Sequence, residues 1–298
     1  MPARHGLPPL HLLLAIAVMA VWGTNFVVIK LALAHLPPLT FALLRFVFVF
    51  LPLALVLPRP RVAWSNLAAY GVLIGAGQFG LMFTALRSEI TPGLASLVVQ
   101  VQVFFTIGLS MWLSGERVAR YQVAALLLAT AGLGTIALHT DGSATPLGLG
   151  MVLVSALSWA GGNIAARRAA PDNMLAYVVW SALFAVPPLA LFALLLEGPR
   201  SMATGIATAD GWTWAAVAWQ SAGNTLFGYV AWGWLLNRHP AATVAPLALL
   251  VPVFGLGASA LFLGEPVQPW KLAAFALVMA GLSLGMFWPR VHMRWQSR

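Results

Sequence analysis

The stretch Leu113-Ser-Gly-Glu116 is repeated in the second half of the chain as Phe262-Leu-Gly-Glu265, and a hydrophobic run ending in Ala-Gly follows each copy. Both landmarks recur at one offset of 149 residues, from 116 to 265 and from 132 to 281. Internal repetition of this kind fixes the architecture before any single segment is interpreted. Each copy holds five hydrophobic segments, and an odd number of spans places the two copies in opposite orientations across a membrane.

A second pair of landmarks lies near the start of each copy. A tryptophan precedes an asparagine in Trp22-Gly-Thr-Asn25 and again in Trp159-Ala-Gly-Gly-Asn163, and in both copies a cation follows the asparagine by five residues. We therefore divide the chain into a first repeat of five helices, 1–140, and a second, inverted repeat of five helices, 141–298.

The composition indicates an integral membrane protein. Hydrophobic residues make up 61% of the chain and charged residues 8%, and the mean hydropathy is +0.89, far above the range of soluble domains. The predicted fold is all-α, with ten transmembrane helices, because the segments are long and lack the alternation of barrel strands. The predicted spans are Leu10 to Ala34, Thr40 to Leu57, Trp64 to Leu86, Gly93 to Leu113, Tyr121 to Leu138, Leu147 to Ala166, Met174 to Leu196, Trp212 to Leu236, Ala241 to Leu263 and Trp270 to Trp288.

The basic residues predict the orientation, since Lys and Arg in short loops are retained in the cytoplasm. With both termini cytoplasmic, eleven basic residues lie inside and four outside, while Arg45 falls within a span. This topology accounts for the net charge of +9 without nucleic acid as a partner. The four outer residues are Lys30, Arg87, Arg200 and Lys271, and the inner ones are Arg4, Arg59, Arg61, Arg117, Arg120, Arg167, Arg168, Arg238, Arg290, Arg294 and Arg298.

The polar residues argue against an enzyme. All seven acids and all six histidines fall in loops or at the ends of spans, and the chain has no cysteine. The sequence contains no nucleophile beside a base, no metal-ligand spacing within a span and no glycine-rich phosphate loop, so we expect neither catalysis nor a bound cofactor. Proton relays use carboxylates or histidines inside the bilayer. Their absence from the spans favours a passive carrier or exchanger.

Neutral polar side chains form stripes at helical spacing in five of the spans. Amides are costly against lipid, so these faces must point toward the interior. They line a cavity that binds substrate or, alternatively, hold helices together, as Asn, Gln and Ser often do. The candidate substrate-binding residues are Trp22, Asn25, Gln78, Gln100, Trp159, Asn163, Asn224 and Trp232.

Two prolines in the ninth span are candidates for gating. Pro246 and Pro252 each remove a backbone donor and bend the helix. The aligned residues of the first copy are Leu97 and Val103, which predicts that the ninth span is interrupted and the fourth is not. The ninth span would then move more when one repeat rocks against the other. The alternative is that these prolines are tolerated kinks.

These residues together resemble a known family. The chain is similar to the EamA-type branch of drug/metabolite transporters. The shared features are ten spans in two inverted repeats, Trp-Gly-x-Asn in the first span, Arg45 in the second and Gly-Glu before the last helix of each half. Within that branch Gln100-Val-Gln102-Val-Phe-Phe resembles the bacterial YddG-type exporters of aromatic and other amino acids. The resemblance implies a multi-pass protein of the bacterial inner membrane that exports amino acids or similar metabolites, without a cofactor.

We therefore predict a transporter that works by alternating access, by uniport or exchange without proton coupling. Its expected partners are amino acids and the lipid bilayer, and it is expected as a monomer. The first alternative is a nucleotide-sugar or phosphate-ester exchanger, which needs several cations in its cavity; the candidates are Arg45, Lys30 and Arg168. A membrane-embedded enzyme or a channel is the second alternative, and an intramembrane carboxylate or histidine pair would have favoured the enzyme.

Overall fold

The computed structural model describes residues 7–114, 120–139, 141–239 and 244–296. Their regular structure is helical, and the chain order is α1 to α11. The repeated Gly-Glu at 115–116 and the predicted inner residues Arg4, Arg117 and Arg298 lie outside the described residues. The helices are α1 Pro9–Ala32, α2 Pro38–Ala54, α3 Trp64–Ser88, α4 92–114, α5 Arg120–Ala137, α6 Pro146–Ala169, α7 Met174–Glu197, α8 Pro199–Thr208, α9 211–238, α10 245–263 and α11 Pro269–Gln296.

The helices confirm an all-α membrane protein. Five of them (α1, α3, α4, α6 and α7) are long and apolar enough to cross a membrane, and the segments Pro38–Ala54, Leu247–Leu263 and Pro269–Gly285 are apolar but shorter. The remaining predicted spans, the fifth and the eighth, overlap α5 and α9. Proline begins many of the helices, because its fixed φ suits the first helical position and its missing N–H is not needed there. Examples are Pro9, Pro38, Pro92, Pro146 and Pro199.

The longest predicted loop, Glu197 to Gly211, is mostly the short helix α8. The Glu197 carboxylate at its start accepts hydrogen bonds from the backbone N–H groups of Leu39 and Thr40, at 2.6 and 2.9 Å, and from the Thr40 hydroxyl at 2.7 Å. These groups open α2, where unpaired donors and the helix dipole favour an anion. The loop is therefore anchored to the start of α2.

The helix contacts are matched between the two halves of the chain. Helix α1 packs on α9 and α10, and the corresponding helix α6 packs on α3 and α4. Helix α3 contacts α7, as α9 contacts α2, and the pairs α2–α7, α4–α10 and α5–α11 each join a helix to its counterpart. Exchanging α1–α5 with α6, α7, α9, α10 and α11 leaves this set of contacts unchanged.

Two pairs of irregular turns occur at equivalent places in both halves, and α7 also ends in a π segment, Ala193–Glu197, that has no counterpart in α2. Helix α3 contains a π-helical segment, Leu73–Gly80, and α9 contains another, Trp219–Phe227. Helix α10 begins with the 3₁₀ segment Ala245–Leu249, and α4 contains the 3₁₀ turn Val99–Val101. Such segments inside long helices often mark functional sites.

The 3₁₀ turn in α4 contradicts the asymmetry that the prolines predicted, since both helices are interrupted. Pro252 has no N–H, so it cannot donate to the carbonyl of Ala248 four residues earlier. The side chain of Gln100, in the 3₁₀ turn of α4, donates to that carbonyl from Nε2 at 3.1 Å. The two interruptions therefore face each other and are joined by a side chain, which the sequence alignment of the repeats did not reveal.

Glycines allow α1 and α3 to approach their neighbours closely. A Cβ atom at Gly23 would lie 2.5 Å from the Val251 carbonyl oxygen of α10, and one at Gly75 would lie 2.2 Å from Cβ of Ala185 in α7. Small residues serve this purpose at helix crossings in membranes. The close crossing of α1 and α10 forms one wall of the cavity described next.

Candidate functional site

A cavity lies between α1, α3, α4, α6, α9 and α10. Its enclosed volume is about 60 Å³, and the wider space between these helices, including the part that opens outward, is about 590 Å³. Its wall contains amides, indoles and apolar side chains, and no carboxylate, imidazole or amine among the described residues. The lining residues are Trp22, Asn25, Phe26, Ile29, Gln78, Phe79, Met82, Val99, Gln100, Trp159, Asn224, Tyr229 and Val251.

Six of the eight candidate residues line this cavity, and two lie elsewhere. Trp232 packs behind Trp22, with the ring centroids 5.7 Å apart. Asn163 donates to Gln102 Oε1 at 3.1 Å and to Thr106 Oγ1 at 3.3 Å, so it joins α6 to α4. One turn of α6 separates it from Trp159, and this shift along the axis takes Asn163 away from the cavity although both share a helix face.

The amides of the cavity wall also hold helices together, so the two interpretations of the polar stripes are not exclusive. Asn25 and Gln220 form a reciprocal pair, with Gln220 Nε2 donating to Asn25 Oδ1 at 2.7 Å and Asn25 Nδ2 donating to Gln220 Oε1 at 3.4 Å. The Trp22 indole donates to the backbone carbonyl of Asn224 at 3.2 Å. These bonds tie α1 to the π segment of α9.

Gln78 differs from the other amides because the oxygen of its side chain accepts no hydrogen bond from the described residues. It is buried, lines the cavity and lies in the π segment of α3, and its Oε1 has no hydrogen-bond partner among the described residues. The Ser155 hydroxyl of α6 donates to the backbone carbonyl of Gln78 at 2.9 Å, which fixes the turn but leaves the amide free. An unpaired buried amide costs free energy unless something binds it.

Arg45 of α2 lies behind the cavity wall and is 1% exposed. Its guanidinium donates to Gln220 Oε1 and to Thr225 Oγ1, both at 2.9 Å, and stacks on the Phe79 ring with 3.6 Å from Cζ to the centroid. Within the described chain no carboxylate lies at ion-pair distance from it. The sequence indicated a cation within this span, but its partners come from the π segment of α9, which the sequence did not predict.

The other cations considered for a phosphate-binding cavity lie outside it. Lys30 donates to the backbone carbonyls of Leu86 and Arg87, at 2.9 and 2.8 Å, and so caps the end of α3. Arg168 is exposed near the end of α6. A phosphate ester would therefore meet one guanidinium behind the wall rather than a cluster of cations.

A buried ion pair lies where α10 passes into α11. Glu265 Oε1 is 3.1 Å from Lys271 Nζ, and Oε1 also accepts from the Thr91 hydroxyl at 2.5 Å. Glu265 Oε2 accepts from the Gly93 N–H at 3.1 Å and from the Ser259 hydroxyl. The repeated acid is thus a loop residue, as predicted, but it is buried and caps the first turn of α4. Lys271, one of the four basic residues predicted outside, is buried in this ion pair, whereas Lys30 is only partly buried.

Several lining residues were not identified from the sequence. They do not belong to the polar stripes, and an apolar residue in a span is ordinarily explained by packing or lipid contact. These residues are Phe26, Phe79, Tyr229 and Val251. The π segments rotate the residues after them relative to a regular helix, so helical spacing alone does not tell which aromatic residue faces the cavity. The cavity thus provides an apolar chamber with amide groups on several sides.

Comparison with known proteins places this architecture among transporters. A protein of Salmonella typhimurium described as "Probable amino-acid metabolite efflux pump" is 41% identical over 285 residues, covering 94% of this chain and 95% of the relative. An Escherichia coli K12 protein with the same description is 37% identical over 292 residues, covering 95% and 96%. The "Uncharacterized inner membrane transporter YedA" of that strain is 26% identical over 277 residues, covering 90% and 88%.

A solved structure titled "Crystal structure of protein" shares the fold, with a TM-score of 0.60 and 19% sequence identity over 95% of this chain and 99% of that chain. The family and these relatives are transporters, and the chain is a multi-pass membrane protein. The family model matches residues 9–138 and again residues 146–287. The resemblance inferred from the sequence is confirmed, and the chain belongs to the EamA-like transporter family.

Proposed function

We propose that this protein exports amino acids or similar small metabolites across the bacterial inner membrane, by uniport or exchange without proton coupling. The observation that carries the proposal is the cavity itself, which combines the indoles of Trp22 and Trp159 with amides and has no charged side chain among the described residues of its wall. Such a host suits a small molecule with an apolar body and polar ends. The description of the Salmonella typhimurium and Escherichia coli relatives as probable amino-acid metabolite efflux pumps supports the amino-acid class.

The proposed mechanism is alternating access by two inverted repeats of five helices, 1–140 and 141–298. The matched helix contacts, the matched π and 3₁₀ segments and the double match to the family model support this division. In this mechanism the cavity lies at the repeat interface and opens to each side in turn. Six of the eight candidate residues are proposed to bind the substrate, while Asn163 and Trp232, which do not line the cavity, are proposed instead to support its walls.

Gating is proposed at the facing interruptions of α4 and α10. Pro252 leaves the Ala248 carbonyl without its helical donor, and Gln100 satisfies it across the interface. A bond of this kind can break and reform without unwinding either helix, since the interruption already exists. Pro246 lies within the 3₁₀ segment of α10 and completes the weakened region.

The test of the proposed function is counterflow in proteoliposomes. Vesicles loaded with unlabelled phenylalanine, leucine or tryptophan should accumulate the labelled amino acid transiently, whereas protein-free vesicles should not. An imposed pH gradient should change the initial rate by less than about twofold, because the cavity wall has no carboxylate or histidine to couple protons. The measurement is labelled amino acid per milligram of reconstituted protein.

Two outcomes would contradict this proposal. Absence of counterflow with every amino acid tested, from protein that remains folded and reconstituted, would exclude amino-acid transport. Accumulation against a gradient that collapses when the proton gradient is dissipated would show a coupled titratable group.

Topology gives a second prediction. The chain has no cysteine, so single cysteines report their own side of the membrane. Ser201 of α8 and Ser65 of α3 are both exposed, and with both termini cytoplasmic they lie on opposite sides. Ser201→Cys should react with an impermeant thiol reagent added to cells with a permeable outer membrane, and Ser65→Cys only after the inner membrane is lysed. Reversal of the two labelling patterns would invert the proposed orientation.

A further inference from the structure

We infer that Arg45 makes the cavity selective for substrates that carry a carboxylate, acting through the amide of Asn224. The inference rests on the proposed function and narrows its substrate class to amino acids with a free carboxylate and an apolar side chain. Arg45 itself does not line the cavity, so its role is to position and polarise the amide that meets the substrate.

The first step concerns the charge of Arg45. A cation at this depth in a membrane protein is costly and is usually paired with an acid. Arg45 is buried, its partners are Gln220, Thr225 and the Phe79 ring, and the described chain offers it no carboxylate. Neutral dipoles therefore stabilise its positive charge, but no negative charge of the described residues neutralises it. In a medium of low dielectric, this charge produces a positive potential in the adjoining cavity.

The second step connects this charge to the cavity wall. The hydrogen-bonding surroundings of the Asn224 side chain assign its Oδ1 to the side that faces Arg45, where it accepts from the two terminal nitrogens at 3.2 and 3.3 Å. Asn224 also lines the cavity, and with its oxygen held by Arg45 the group that it offers to a ligand is the Nδ2 donor. A cation behind the carbonyl polarises the amide and strengthens this donor toward an anion, as in other hydrogen-bond chains.

The third step concerns the rest of the substrate. The uncommitted amide of Gln78 belongs to α3, a different wall of the same cavity, and its oxygen suits an ammonium group. The indoles of Trp22 and Trp159 and the side chain of Val99 line the same cavity and suit an apolar side chain. Donor, acceptor and apolar surfaces together match a zwitterionic amino acid, and the donor is the part that depends on Arg45.

The experiment compares the Kd of L-phenylalanine with that of L-phenylalaninamide, which lacks the carboxylate. Binding to the purified protein is followed by tryptophan fluorescence, because Trp22 and Trp159 line the cavity. In the wild-type protein the amino acid should bind about tenfold more tightly than its amide, as a charge-assisted hydrogen bond provides. Asn224→Asp places an acid beside Arg45 and neutralises its charge. The preference for phenylalanine over its amide, measured as the ratio of the two Kd values, should then fall to about twofold or less.

The choice of two variants keeps the test decisive. Asn224→Asp forms an ion pair with Arg45, so the variant should remain folded, whereas Arg45→Met would leave Gln220 and Thr225 without their donor. Asn173→Asp is the matched control, since Asn173 caps α7 outside the cavity by accepting from the Ala176 N–H at 3.1 Å, and aspartate caps equally well. This control should retain the wild-type preference.

The outcomes separate the inference from the proposed function. Equal binding of acid and amide by the wild-type protein, or an undiminished preference in Asn224→Asp, would overturn the role of Arg45 while phenylalanine counterflow still supported transport. Absence of both binding and counterflow would overturn the proposed function and this inference with it. Loss of the preference in Asn224→Asp alone supports the inference.

Discussion

Replacing Lys271 with methionine is expected to lower the free energy of unfolding by about 3–5 kcal/mol, because the Glu265 carboxylate is then left buried without its cation. The ammonium is fully buried and the carboxylate side chain nearly so. Glu265→Gln should have a similar effect, since it leaves Lys271 unpaired and weakens the acceptor of the Gly93 N–H and the Thr91 hydroxyl.

The double variant Glu265→Gln with Lys271→Met distinguishes a pair from two independent residues. It should lose less stability than the sum of the single variants, because neither charge remains uncompensated. Denaturant unfolding in detergent measures all three. Asp172→Asn, at an exposed acid, is the control and should change stability by less than about 0.5 kcal/mol. Strict additivity would mean that the two side chains do not interact as the structure indicates.

The largest effect on transport is expected at Trp159. Trp159→Ala should reduce the initial rate of counterflow by about tenfold to a hundredfold per folded molecule, because it removes the indole that lines the cavity opposite α1. Asn163→Ala, one turn further along α6, should reduce the rate by less than about threefold, since it loses only hydrogen bonds to Gln102 and Thr106. Folded protein is quantified by size-exclusion chromatography before reconstitution.

Trp159→Phe controls for the loss of packing, because an aromatic ring retained there should restore part of the rate. Equal losses in Trp159→Ala and Asn163→Ala would place both residues in the same role, as their shared helix face suggested. A normal rate in Trp159→Ala would remove the indole from the binding site.

The helical stripes indicated which face of a helix points to the interior, but not which residues along that face reach the cavity. The spacing of Trp159 and Asn163 predicted one interior face for both, yet only Trp159 reaches the cavity, because the cavity spans a limited length of α6. Spacing also did not distinguish Gln78, which is uncommitted, from Asn25, which is held by Gln220. That distinction depends on which side chain stands opposite, on another helix.

Of the two facing helix interruptions, the sequence indicated the one in α10 but not the one in α4. Pro252 marks a missing backbone donor in the sequence itself, whereas nothing in Val99–Val101 marks the 3₁₀ turn of α4. The turn is held by the bond from Gln100 to Ala248, which exists only when α4 and α10 cross. The π segments of α3 and α9 likewise contact other helices: Ser155 of α6 donates to the backbone carbonyl of Gln78, and Ser221 of α9 donates to the backbone carbonyl of Arg45 in α2.

The sequence by itself determined that this chain is an all-α membrane protein of the EamA-like family, because apolar length, repeat spacing and short motifs are properties of the chain alone. It also indicated most of the polar residues that line the cavity, because an amide within a span must face the interior. The tertiary structure decided which amides are free, that Arg45 lies behind Asn224 with no acid of the described residues at ion-pair distance, and that Glu265 and Lys271 form a buried pair. These features depend on distances between helices far apart in the chain, which packing sets and local periodicity does not encode.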